Sequence, residues 1–291
     1  MSSYLYDRIR DELCPDNIWM LSGILKSILN RQINRLPKRK TSDEKTRYPD
    51  DPASMRAFLD TFFTRHYFQV QDSLFEYITS EEFIGLLEIG KLNILDIGSG
   101  PVVASLAITE ILVCVLKNLT DTKKIKINYF LNDPVNICLG VGKEMLNDYF
   151  LSIRQENQNL SNNIVISIKE GFSSNIKQLM RIQRNYGQYD IVSFSYVITP
   201  LNEQENLNRI RDGFLRIESL CKPIGKILIL QDKFKEALTG KITGTIGKTY
   251  KEQELSQYVY SSNNSNETHT YTYFSCLFSP QANCQVGAIA V

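Results

Sequence analysis

Apolar residues recur at helical spacing over residues 3–13 and 17–34, where Ile18, Leu21, Ile24, Leu25, Ile28 and Leu29 share a face. A polar, basic connector follows, RQINRLPKRKTSDEKTRYPDDP, whose Pro37, Pro49 and Pro52 predict an exposed loop. Residues 54–78 then predict one or two helices dense in Phe and Tyr. From residue 92 the pattern changes. Short apolar runs at 92–96, 125–131, 164–169, 189–195 and 225–231 predict strands, and the amphipathic stretches 102–118, 134–155, 173–184 and 203–221 predict helices. Strand and helix in alternation predict a doubly wound α/β domain with a mostly parallel sheet. The chain closes with THTYTYFSCLFSP and CQVGAIAV, joined by Pro-Gln-Ala-Asn, which predict a C-terminal antiparallel hairpin. A polar insertion, 233–268, carries the tip SSNNSNE. The expected division is an N-terminal helical cap or lid, 1–88, and an α/β domain, 89–291.

Composition changes this picture little. The 291 residues are 43% hydrophobic and 22% charged, enough for one substantial core. With 33 basic and 32 acidic side chains the net charge is +1, so no global field draws the chain to nucleic acid or to an anionic membrane. No run is long and apolar enough for a bilayer, and the first residues lack the apolar centre of a signal peptide, so a cytoplasmic protein is expected. The six cysteines form no C-x-x-C pair and there are only two histidines, His66 and His269, so no metal site is expected.

The candidate chemistry lies in LNILDIGSGPVVASLAITEIL, residues 92–112. Ligands of a parallel sheet bind outside the carboxyl ends of the strands, and the first strand–helix turn lies there. Asp96 ends the strand, Gly98 and Gly100 permit a tight turn, and Pro101 suits a first helical position. A turn with no ligand would read the same way. A dinucleotide site would place a third glycine where Val103 stands.

ILDIGSGPV resembles the first motif of the class I S-adenosylmethionine-dependent methyltransferases, whose fold is Rossmann-like. Asp96, Gly98 and Gly100 match its acidic residue and first two glycines; Val102 stands in place of the third. The resemblance implies S-adenosyl-L-methionine as cofactor, lying against the backbone from Asp96 through Gly98 and Ser99 to Gly100 with no phosphate to cradle. It further implies that Asp133, or else Asn132, accepts hydrogen bonds from the ribose at the end of the second strand. Gly171 and Phe172 would flank the adenine after the third strand. The fourth strand, YDIVSFSYVITPL, would bring Ser195 to the cofactor and Tyr196 to the acceptor, and CKPIGKILILQD fits the fifth, with Ile224 replacing a glycine. The match spans roughly residues 90–232, and an antiparallel last strand also belongs to this family. The helical region before the glycine loop, with SYVITPL, is more weakly similar to methyltransferase-like proteins of the mitochondrial small ribosomal subunit, without their cysteine cluster.

The stretch GKITGTIGKT, 240–249, imitates a phosphate-binding loop but has Ile242 where the first glycine belongs. Methyl transfer from a sulfonium chiefly requires positioning, and some acceptors also need a base. Candidate bases are His66, Tyr196, Glu203 and Asp232, with His66 and Tyr196 as the catalytic expectation. SYVITPLN is not an Asn-Pro-Pro-Tyr motif, and no cysteine pair of the cytosine type is present, so a small-molecule O, N or S acceptor is expected. Two other readings stay open: an RNA methyltransferase or ribosome-assembly factor that uses Arg31–Arg47 on phosphates, and a non-catalytic scaffold that keeps the fold. The aromatic helix at 57–77 is expected to close over the acceptor.

Overall fold

The computed structural model describes residues 2–38, 49–119, 124–157, 160, 163–171, 187–195, 220–232, 254–261 and 267–280. Helix α1 (Ser2–Leu13) is followed by the short strand β1 (Ile18–Trp19) and helix α2 (Gly23–Arg35). The expected helix over 17–34 is therefore two elements. Asp16 and Asn17 adopt left-handed backbone, φ 53° and 60°, which breaks the helix and releases Ile18 and Trp19 into the sheet. The side chain of Ser22 then accepts the N–H of Leu25 and starts α2.

Asp51 opens α3 (Pro52–Thr61) with a reciprocal capping box to Ser54. Helix α4 (Phe63–Ile78) completes the aromatic stretch, and α5 (Glu81–Glu88), which the hydrophobic pattern did not single out, starts at the side-chain cap Ser80. The α/β part runs β2 (Lys91–Ile97), α6 (Val103–Asn118), β3 (Ile125–Asn132), α7 (Asn136–Glu156), β4 (Ile164–Gly171), β5 (Tyr189–Ser195), β6 (Cys221–Asp232), β7 (Glu254–Ser261) and β8 (Thr268–Phe278).

The strands form one eight-stranded sheet in the order β1-β7-β8-β6-β5-β2-β3-β4. Only β8 is antiparallel, paired with β6 on one side and β7 on the other. This is the Rossmann-like, doubly wound architecture, with reversal confined to the C-terminal hairpin. The hairpin itself differs from expectation. The partner of 268–278 is 254–261, drawn from the supposed polar insertion, where the alternation Leu255, Gln257, Val259 supplies a strand. The expected second arm, 284–291, lies outside the described residues, as do the helices expected at 173–184 and across most of 203–221; residue 221 of the latter starts β6.

The two faces of the sheet differ. Leu92, Ile94 and Asp96 share one face with Ile127, Tyr129, Leu131, Ile191 and Leu228. The N-terminal helices, α6 and α7 cover that face, and residues from Leu5 to Tyr273 join one hydrophobic cluster. Helix α6 is buried on nearly every side from Val103 to Leu116, which accounts for its mostly apolar sequence, interrupted by Ser105, Thr109 and Glu110. The opposite face carries a polar ladder in which Asn128 Nδ2 donates to Asn93 Oδ1 (2.8 Å) and Asn93 Nδ2 to the Gln188 carbonyl (2.9 Å). Among the described residues no helix is long and apolar enough to cross a membrane.

Candidate functional site

Strand β2 pairs with β3 on one side and β5 on the other, so the chain's crossovers diverge on either side of β2. That switch point is where an open α/β sheet leaves a crevice at its carboxyl edge. The turn leaving β2 lies there and follows an alternating course, with Gly98, Gly100 and Val102 all left-handed at φ 62°, 51° and 53°. A third glycine would fit the third of these positions without strain. Val102 adopts it at a cost of roughly 1–2 kcal/mol. Its side chain is fully buried, and a Cβ on Gly142 of α7 would lie 2.7 Å from Val102 Cγ1. The missing glycine of the loop is thus matched by a glycine in the neighbouring helix, and valine locks loop and helix together.

The loop turns its N–H groups inward. Ser99 donates to the Asn132 carbonyl (3.0 Å), Gly100 to Asp133 Oδ2 (2.8 Å) and Val102 to the Ser99 carbonyl (2.8 Å). Asp133 Oδ1 accepts the N–H of Val135 (2.8 Å), so this fully buried carboxylate staples the end of β3 to the glycine loop. Asp96 Oδ2 accepts both the N–H (3.2 Å) and the hydroxyl (2.7 Å) of Ser105 in the first turn of α6. It caps a helix whose own N-cap, Val102, has no side chain able to do so. Asp96 Oδ1 and Ser99 Oγ are buried and have no hydrogen-bond partner. A Cβ on Gly100 would meet nothing within 4 Å, so space opens beside it. Burial pushes the Asp96 carboxyl up to about 7; the Ser105 hydrogen bonds oppose that shift and the Asp133 charge adds to it.

The other expected site residues divide. Asn132 closes β3, opposite Ile97 of β2 and Gly171 of β4, so the ends of the first three strands of the α/β part lie in register at the carboxyl edge of the sheet. Ser195 ends β5, half-buried, with its hydroxyl 2.9 Å from that of Ser193. Asp232 ends β6, opposite Tyr273. Phe172, Tyr196 and Glu203 lie outside the described residues.

His66 lies on α4, 8% exposed, its ring 5.7 Å from Phe58 and 5.8 Å from Phe62. Burial, with the nearby Arg65 charge, holds its pKa well below the ordinary value, so the imidazole is neutral. Helix α4 is a packed layer of the core. Phe63, Tyr67, Phe68 and Phe75 are all buried, and Tyr67 and Gln71 hydrogen-bond Glu110 of α6. Its aromatic density, which suggested a lid, comes from contacts on several sides, including Phe68 with Trp19 and with Tyr260. Two participants were missed from the sequence: Ser105 and Gly142. Gly142 left a signal, as an isolated glycine within a helical pattern; a serine in an apolar helix left none.

No family model matches the chain, and no curated protein matches it. Solved structures with some likeness include a precorrin-6y C5,15-methyltransferase from Geobacter metallireducens, 15% identical, covering 69% of this chain and 90% of that one, TM-score 0.38. A SAM-dependent methyltransferase from Agrobacterium tumefaciens is 10% identical, covering 75% and 61%, TM-score 0.39. A putative RNA methyltransferase from Pyrococcus horikoshii is 11% identical, covering 89% and 98%, TM-score 0.37. Likenesses this low transfer neither substrate nor site, and the functional reading rests on the chain's own geometry.

Proposed function

We propose that the chain is an S-adenosylmethionine-dependent methyltransferase acting on an O, N or S atom of a small-molecule acceptor. The observation that carries this is the orientation of the glycine loop. A loop that cradles phosphate points its N–H groups at the ligand. Here Ser99, Gly100 and Val102 direct theirs into the protein, and two buried carboxylates, Asp96 and Asp133, stand beside them. A pyrophosphate would meet negative charge and few donors. A ligand with a cationic centre, an amino group and hydroxyls is complementary to the same surroundings.

The residues present fit the cofactor. Asp96 Oδ1 and Ser99 Oγ are unpartnered and buried at the loop, and open space adjoins Gly100. Asp96 would face the amino group, Asn132 or Asp133 the ribose, and Gly171 and Ser195 the neighbouring strand ends. The cofactor supplies a methyl group already activated for displacement, so the chain's task is orientation and exclusion of water. Burial and the Arg65 charge disfavour protonation of His66, so it would serve as a base only where a bound acceptor supplied a compensating partner.

The RNA reading loses part of its basis. Arg31 pairs with Asp148 and Arg35 with Glu144, so these arginines dock α2 on α7. Calorimetry with S-adenosylmethionine and S-adenosylhomocysteine tests the proposal. The expected result is a Kd in the micromolar range or tighter, about −8 kcal/mol, with no binding of NAD. No heat and no thermal shift with either nucleoside at millimolar concentration would overturn it and leave the scaffold reading.

A further inference from the structure

The geometry points to Gln69 as the side chain that recognises the methyl acceptor, through a paired donor and acceptor that match a planar amide edge, a carboxamide or lactam. This rests on the methyltransferase reading for the ligand's role as acceptor, though not for its binding. Gln69 is completely buried, and among the described residues neither its Nε2 nor its Oε1 has a partner. An amide closed off from water is costly when nothing pairs with it. Such a group is retained where something else completes it.

Its position says what that is. Residues four apart on a helix share a face. Four residues before Gln69, the Arg65 guanidinium lies 4.6 Å from the Tyr271 ring centre; four after it, Ser73 Oγ lies 2.9 Å from the Tyr273 hydroxyl. Gln69 therefore looks onto β8 between Tyr271 and Tyr273. Tyr273 pairs with Asp232, the last residue of β6, so this spot is at the carboxyl edge of the sheet. Strands β6 and β5 separate it from β2 and the glycine loop. Three strand spacings of about 4.8 Å give roughly 14 Å, the separation that a nucleoside cofactor and a small acceptor side by side would span.

The surroundings select the ligand. Phe62 and Tyr271 are aromatic, and Arg65 lies over both rings, 5.0 and 4.6 Å from their centres. A flat, neutral ligand would stack on these ring faces in place of the Arg65 guanidinium, with the amide of Gln69 fixing its orientation. Arg65 is half-exposed and Gln69 lies beneath it, so entry requires Arg65 to move.

The test titrates benzamide and uracil into the whole protein, with and without S-adenosylhomocysteine, and repeats both titrations with Gln69→Leu. The expected result is binding of at least one probe by the wild type and about tenfold or greater weakening in the variant, as two lost hydrogen bonds imply. The affinity for S-adenosylhomocysteine stays unchanged, and the urea midpoint of the variant is equal or higher, because an unpaired buried amide has been replaced by an apolar side chain of similar size. Failure of both probes to bind the wild type, equal affinity in the two proteins, or a lower midpoint in Gln69→Leu overturns the inference. Probe binding through Gln69 without any nucleoside binding keeps the amide site and removes its role as acceptor site.

Discussion

Asp133→Ala separates two roles for one carboxylate. The resemblance to methyltransferases assigns Asp133 to the ribose; the structure shows it holding the loop, with Gly100 N–H on Oδ2 and Val135 N–H on Oδ1, each at 2.8 Å. Hydrogen bonds to a charged acceptor contribute about 1.5–3 kcal/mol each, so the gross loss on truncation is about 3–6 kcal/mol. Two effects offset it. A fully buried charge no longer has to be desolvated, and Asp96 loses a neighbour whose charge disfavours its own ionisation. The net loss is about 2–4 kcal/mol, within the range for breaking a buried hydrogen-bond network. At about 2–4 °C per kcal/mol for a chain of this size, Tm falls by roughly 4–16 °C. Asp133→Asn keeps one carbonyl oxygen and loses about half as much. Urea unfolding measures this as a shift in midpoint at constant slope. A midpoint for Asp133→Ala within about 0.5 kcal/mol of wild type refutes the staple, since that is the spread of surface substitutions. The nucleoside titration reads the second role. If Asp133→Ala binds S-adenosylhomocysteine normally while Asn132→Ala does not, the ribose lies on Asn132.

Two further substitutions test the loop. The folded-state carboxyl of Asp96 is raised from 3.8 to about 7, so its contribution to stability is full below about pH 4 and is lost as pH rises towards 7, a swing of roughly 4 kcal/mol. Asp96→Asn, which does not titrate, flattens that fall in pH-dependent urea unfolding; an unchanged slope between pH 4 and 7 contradicts the burial argument. Val102→Gly relieves left-handed strain of about 1–2 kcal/mol but loses about 1.5–3 kcal/mol of buried side chain plus a cavity, so it destabilises modestly. Gly142→Ala alone overpacks the contact by about 1–3 kcal/mol, and the double variant recovers part of that loss, with Pro101 still close. Strict additivity in the cycle would mean that Val102 and Gly142 do not touch.

Much of the sheet was legible because its strands are short, apolar and bounded by polar turns: 125–131 was read for Ile125–Asn132 and 189–195 for Tyr189–Ser195. What was hidden depends on partners distant in sequence. Ile18 and Trp19 continue a helical pattern, and only Val259 and Tyr260, far along the chain, make them a strand. Residues 254–261 follow a polar stretch of low hydrophobicity, and they become a strand because β8 offers an edge on which to pair. The same applies at the site. DIGSG announced a tight turn, but not that Asp133 would take the Gly100 N–H.

Val102 shows how such a departure is to be read. From the sequence it is a defect in a glycine pattern, and it motivated a scaffold without activity. In the structure the left-handed backbone that glycine would supply is still there, φ 53°, and so is the space that glycine would have left, now on the other partner as Gly142. The two residues form one packing unit divided between a loop and a helix, and its outer side is the open space at Gly100. The substitution therefore stiffens the back of the loop and leaves its ligand-facing side clear. A loop lost to drift would keep the strain of a left-handed valine without the matching glycine. The presence of both argues that the loop's left-handed shape is held by its packing on α7.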